Sequence, residues 1–229
     1  MLIKKEEIKQ QKPTQETLDL YRKRRQESMA IVHRFVKNIS KEVLLQSAKQ
    51  LGLYYKKSIA VETEQALDVL FNHTIFHYLH NGIKMIDRFA RESFADTKSS
   101  REKLAMIDVL QQASYGILIV KETLSFGGVY VEDILNHNCF LLMDEGLSVS
   151  TSKGFIIATS YITFPEFSMT TGAALPVTNY MYEIETLVED FDIENSSFFE
   201  LPLKQQSKFV ALLTQYALEQ GVLDHIGFV

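Results

Sequence analysis

The sequence predicts an α+β fold, with an N-terminal helical layer, a central small antiparallel β-meander or barrel, and C-terminal helices. Three observations predict it. Apolar residues recur at helical spacing as far as Ala113. From Tyr115 to Pro176 they give way to β-branched and aromatic residues punctuated by glycine, and helical spacing returns after Asn179. The corresponding regions are a helical region 1–113, a small antiparallel β-domain 114–177 and C-terminal helices 178–229, expected to pack as one compact unit. With 46% hydrophobic and 23% charged residues over 229 positions, the chain has the balance of an ordinary globular protein.

Pro13 and Thr14 precede good helix formers among which Leu18, Tyr21, Met29, Val32 and Val36 recur, so the first helix runs from about Thr14 to Asn38. Ser40 caps a second helix, with Val43, Leu44, Ala48 and Leu51 on one face and Gly52 at its end. Residues 58–61 read as a short extended link. Thr63 caps the clearest amphipathic helix, on which Leu67, Leu70, Phe71, Ile75, Tyr78 and Leu79 share a side. Gly82 interrupts it, and Ile83, Ile86, Phe89 and Ala90 continue the period to about Phe94. Leu104, Ile107 and Leu110 predict one more helix, ending near Ala113.

The expected strands are 115–123, 128–133, 138–143, 154–164 and 166–171, with turns at Gly127-Gly128, Asp144-Glu145-Gly146 and Ser152-Lys153-Gly154. Connections this short favour antiparallel pairing of neighbours. Pro176 ends the β region. Residues 179–191 read as an acidic helix, and a last helix follows Pro202, with Phe209, Leu212, Leu213 and Tyr216 in period and Gly221 beyond it.

Charge and composition narrow the classes of function. The net charge of −5 conceals eleven Lys and Arg against five acids in residues 1–41, and seven acids with no basic residue in 181–200. Two such segments can pair within the chain or across a dimer, and a net-acidic protein lacks the broad basic face that phosphate backbones require. No apolar run approaches the roughly 20 residues that cross a bilayer, and the polar N-terminus lacks the apolar core of a secretory signal. The single cysteine, Cys139, forms no internal disulfide and fits a reducing compartment, so a cytoplasmic location is expected.

The segments Ala48–Leu53 (AKQLGL), Gln112–Ile117 (QASYGI), Gly128–Leu135 (GVYVEDIL), Met143–Ser148 (MDEGLS) and Met169–Pro176 (MTTGAALP) together resemble a family of uncharacterised bacterial proteins. The blocks span residues 45–177 or so and are specific as a set. The resemblance implies a fold relationship and no activity. The chain departs from that pattern in a longer basic N-terminus and in an acidic, helical C-terminus after Pro176.

The most conspicuous cluster for chemistry is His73, His77 and His80. On a continuous helix they fall within about 60° of one another, opposite the Leu67/Phe71/Tyr78 face. His73 and His77, at i and i+4, converge on one ion, whereas His73 and His80 stand about 10 Å apart along the axis. A divalent metal there would take its third ligand from another element, Asp144 or Glu145 being the candidates. The segment His73-Thr74-Ile75-Phe76-His77 lacks the glutamate of a metalloprotease helix. A polar face, or one packed against the C-terminal helices, is the plainer expectation.

Asp144, Glu145 and Ser148 fit a structural turn as well as acid–base work. Thr170, Thr171 and Gly172 are expected at the end of the last strand, since no phosphate-loop tail follows them. Cys139 follows His137 by two residues, but among Phe140, Leu141 and Leu142 it reads as a buried small hydrophobe rather than a nucleophile. Arg22, Lys23, Arg24 and Arg25 form the densest basic cluster, yet consecutive helical residues point in all directions and make no stripe.

The sequence therefore favours a non-catalytic protein-interaction or binding module, with a protein partner or a second copy of the chain, no membrane span and no required cofactor. The alternatives are a metal-dependent hydrolase built on the histidine helix, and nucleic-acid binding through the basic N-terminal helix, which the net charge disfavours.

Overall fold

The computed structural model describes residues 13–96, 99–125, 127–193 and 197–225. The chain begins with helices α1 (Gln15–Asn38) and α2 (Lys41–Gln50). Ser40, the expected cap, accepts from the Val43 amide, and Thr14, at the expected start of the first helix, caps it by accepting from the Thr17 amide. Residues 58–61, expected as a link, instead belong to a hairpin of β1 (Tyr54–Tyr55) and β2 (Ser58–Ile59). The helix α3 (Glu64–Phe76) is capped by Thr63.

The expected continuation of α3 to Leu79 does not form. The helix stops at Phe76, and β3 (Leu79–His80) and β4 (Ile83–Lys84) make a second hairpin about Asn81-Gly82, both with positive φ (54° and 80°). Asn-Gly is the preferred pair for a two-residue turn of this hand, because both central residues must be left-handed. Helices α4 (Met85–Ala95) and α5 (Arg101–Gln111) follow.

The β region closes into a five-stranded barrel. Its strands are β5 (Ser114–Leu124), β6 (Gly128–Asp133), β7 (Asn138–Met143), β8 (Ile156–Thr163) and β9 (Ser168–Pro176), hydrogen-bonded in the order β5-β6-β7-β9-β8 and back to β5. The sequence neighbours β5–β6, β6–β7 and β8–β9 pair antiparallel as expected, but β7 and β8 do not pair, and β7 instead runs parallel to β9 through Leu142↔Ser168 and Met143↔Met169. A short helix, α6 (Glu145–Ser150), joins β7 to β8, and Asp144 is its cap rather than a turn residue. Counted along the barrel this is the first-second-third-fifth-fourth order of the OB-type Greek-key barrels.

After β9 a 3-10 turn (Thr178–Tyr180) leads into α7 (Met181–Asp190), and α8 (Leu203–Glu219) completes the chain's helices among the described residues. Three apolar clusters hold the parts together. Leu118, Val120, Val129, Val131, Leu142 and Ile157 fill the barrel. Outward-facing Ile162 and Met169 meet α1, α3, α4 and α5 through Phe35, Ile75, Phe76, Ile86 and Ile107. Outward-facing Tyr115, Ile117, Ala158 and Leu175 meet α2, α3 and α8 through Leu51, Leu70 and Phe209. Each fully buried side chain of this size contributes about 1.5–3 kcal/mol.

α3 is thus sandwiched between helices and barrel, so its expected polar face is buried along with Leu70 and Ile75 of the apolar one. His73, Thr74, Ile75 and Phe76 are buried, while Leu67 and Phe71 are only half-buried. Inside the barrel end, Asp133 is fully buried and accepts from the Leu135 amide (3.0 Å), Asn136 Nδ2 (2.7 Å) and the Tyr161 hydroxyl (2.9 Å). Gly116 faces this carboxylate: a Cβ there would come within 2.7 Å of Asp133 Oδ2.

Candidate functional site

The site lies where α3 rests on the barrel. β9 bulges at this place: Thr159 pairs with Ala174 and Tyr161 with Thr170, so Thr171, Gly172 and Ala173 stand opposite Ser160 alone. Gly172 lets α3 approach, since a Cβ there would be 3.2 Å from Asn72 Nδ2. Thr170, Thr171 and Gly172 are therefore the middle of β9, not its end.

One hydrogen-bond chain crosses the seam and a second ties α3 to α2 behind it. Asn72 Nδ2 donates to Thr171 Oγ1 (2.8 Å), and its Oδ1 accepts from Ser160 Oγ (3.0 Å). Having given its proton to Asn72, Ser160 accepts from His77 Nε2 at 2.6 Å. His73 Nδ1 is 3.3 Å from Ser47 Oγ, which is 2.8 Å from Thr74 Oγ1. His73 Nε2 and the Tyr115 hydroxyl, both buried, have no hydrogen-bond partner. Thr214 lies near enough to the phenol to favour its ionised form, but not in hydrogen-bonding geometry.

Two cavities meet at this seam. The inner one, about 20 Å³, is bordered by Asn72, His73, His77, Tyr115, Ser160 and Thr214. The outer one, about 200 Å³, is bordered by His77, Lys84, Gln111, Gln112, Tyr115 and Gln206, with Phe198 and Phe199 alongside. His77 and Tyr115 form the wall between them.

Four ionisable groups around these cavities are displaced from their ordinary behaviour. Burial lowers His73 to about 3. Burial, followed by the charges of His73 and Lys84, holds His77 well below the usual imidazole range. Burial also depresses the Lys84 ammonium and raises the Tyr115 phenol. Desolvation disfavours the charged form in every case. A concentration of perturbed groups around a cavity is the physical mark of a functional site. A larger groove of about 500 Å³ at the barrel mouth, lined by Phe155, Ile157 and Ala174 among others, carries no charged side chain.

Of the residues singled out in the sequence, His73 and His77 come together at the seam, on the barrel side of α3. His80 is absent from it, because it sits on β3 beyond the end of the helix. Asp144 and Glu145 are drawn elsewhere. Asp144 Oδ1 accepts from the Leu147 amide and Oδ2 from the Thr170 hydroxyl (2.8 Å), and Glu145 pairs with Arg22. Among the described residues no group of three or more His, Cys, Asp or Glu side chains is placed to hold a metal.

The basic cluster is largely engaged. Arg25 donates to both the carbonyl (2.8 Å) and the hydroxyl (3.0 Å) of Thr170, and Arg24 pairs with Glu27 and stacks over Phe164. Lys23 is exposed. Among the described residues α1 makes its long-range ion pair with Glu145, not with the acidic segment 181–200. Cys139 is exposed rather than buried, and His137 (φ 54°) belongs to the turn before β7, so the two do not share a strand face. Lys84, Tyr115, Thr214 and Gln206 were not singled out by sequence reasoning. The available signal was Asn81-Gly82, whose hairpin carries Lys84 back against α3.

No helix among the described residues is long and apolar enough to cross a membrane. No curated protein and no solved structure matches the chain. The family of unknown function DUF7986 matches residues 15–184, from the first residue of α1 into α7, and the chain belongs to that family.

Proposed function

We propose that the chain is a non-catalytic binding module that takes a small monocarboxylate in the outer cavity. One observation carries this reading: the Lys84 ammonium, half-buried on the cavity wall, makes no side-chain hydrogen bond or ion pair among the described residues, and the Asp87 carboxylate steadies it only from a distance. A desolvated ammonium is costly unless an anion meets it. One lysine, beside histidines held neutral, suits a single negative charge better than a phosphate dianion. Gln112 supplies a further amide donor, those of Gln111 and Gln206 being engaged by Asp87 and by the Phe199 and Leu201 carbonyls, and Phe198 and Phe199 offer an apolar wall to the body of the ligand.

The non-catalytic part of the reading rests on proton placement. His77 donates its Nε2 proton to Ser160, so no lone pair faces that hydroxyl to activate it as a nucleophile. The barrel topology by itself assigns no function. Its β5–β6–β7 surface presents Glu122 and Glu132, with Lys121 spent on Glu132 at 2.7 Å, which does not favour a nucleic-acid backbone.

Thermal unfolding of the full chain in the presence of butyrate, benzoate or inorganic phosphate tests the reading. A carboxylate that binds the folded state raises the melting temperature by mass action. The expected result is a concentration-dependent rise with a carboxylate, absent in Lys84→Met and weaker with phosphate. If no carboxylate shifts the wild type more than Lys84→Met, the reading fails.

A further inference from the structure

We infer that the inner cavity is a binding site for one water molecule, which joins α3, β5 and α8 through His73, Tyr115 and Thr214. Two observations converge on it. The cavity measures about 20 Å³, room enough for a water, which needs roughly 10–15 Å³. The two buried side-chain atoms without partners that border it belong to residues only 2% and 4% exposed, His73 Nε2 and the Tyr115 hydroxyl.

The chemistry selects water over an ion. His73 Nδ1 is engaged by Ser47, so Nε2 is the nitrogen left to the cavity, as a donor in one tautomer and an acceptor in the other. The phenol is likewise donor or acceptor. Water can take either role toward both, and the Thr214 hydroxyl on the same wall offers a third contact, the usual number for an internal water. A cation would meet one imidazole nitrogen and two neutral hydroxyls, with no carboxylate bordering the cavity. An anion would face a burial cost that histidines held neutral do nothing to offset.

The inferred water differs in kind from the other bonds of the seam. Asn72, Ser160, Thr171 and His77 tie α3 to β8 and β9 directly, whereas α8 reaches the polar seam through Thr214. The water draws the Thr214 hydroxyl of α8 into the same set of bonds as His73 and Tyr115. It also satisfies His73 without fixing its tautomer.

A high-resolution crystal structure of the full chain, with oxygen-17 water relaxation dispersion in solution, tests the inference. The expected result is a single peak within hydrogen-bonding distance of both His73 Nε2 and Tyr115 Oη, and one long-lived water per molecule that is lost in Tyr115→Phe or Thr214→Val. A wild-type map with no peak there overturns it, as does a direct His73–Tyr115 bond or a peak with metal coordination distances. The wild-type measurement decides the matter even if a variant fails to fold.

Discussion

Lowering the pH from 7 to 5 should destabilise this protein through its seam histidines. An imidazole in the unfolded chain titrates near 6.5, whereas His73 in the folded protein is held at about 3 by burial. Between these values the unfolded state binds a proton that the folded state refuses, so stability falls as pH falls. The neutral-histidine contribution is full above about pH 6.5 and is lost progressively toward pH 3, at about 1.4 kcal/mol for each pH unit. At pH 5 the loss from His73 alone is about 2 kcal/mol, a large share of the roughly 5–15 kcal/mol typical of a folded domain.

His77 is displaced the same way and adds to the loss. Asp133 has the opposite sign: burial raises its carboxyl, so folding favours its protonated form and stability is regained as pH falls through its folded value. Comparison with His73→Gln, in which Asp133 is unchanged, separates the two contributions. Urea unfolding at closely spaced pH values measures the slope directly. A wild-type unfolding free energy that stays level from pH 7 to 5 would refute the argument. So would an unchanged slope in a folded His73→Gln protein.

Two further substitutions test the fold beneath the site. Gly116→Ala would place a methyl group 2.7 Å from both Asp133 Oδ2 and Leu118 Cδ2; overpacking of this kind costs about 1–3 kcal/mol, visible as a lower urea midpoint, and an unchanged midpoint would mean that the Asp133 cluster relaxes freely. Thr63→Ala removes the hydroxyl that accepts from the Ala66 amide at 3.1 Å, at a cost of about 1 kcal/mol. Its effect should be seen in thermal unfolding without loss of carboxylate binding, because the cap lies at the far end of α3 from His77.

Much of the architecture was legible because local rules and tertiary structure agree. Hydroxyl caps at Thr14, Ser40 and Thr63 started three helices where the periodicity required. The switch at Ala113 to alternating β-branched residues placed β6 and β7 at their observed limits. The failures lie where a non-local contact overrides the local pattern. α3 has an apolar period that points Leu67 and Phe71 inward, yet the helix is covered on both sides, so His73 and Thr74 are buried as well. Closure of the barrel by the parallel β7–β9 pair, and the bulge at Thr171–Ala173, depend on strands distant in sequence. The histidine pair could be read from its spacing. Its partners could not, because Lys84, Tyr115 and Thr214 reach the seam from a hairpin, a strand start and a distant helix.

The family match ends within α7, before the 3-10 turn Phe198–Glu200 and before α8. The seam is thus assembled from the matched piece of chain and from the piece beyond it. The matched piece contributes the ammonium, the imidazoles and the phenol, which on the proposed role set the sign of charge a guest must carry. The later piece contributes Phe198, Phe199 and Gln206 to the outer cavity and Val210 and Thr214 to the inner one, and these set shape and size. On the proposed binding role, substitutions in the last 45 residues should alter which guest is admitted while leaving the charge of Lys84 untouched.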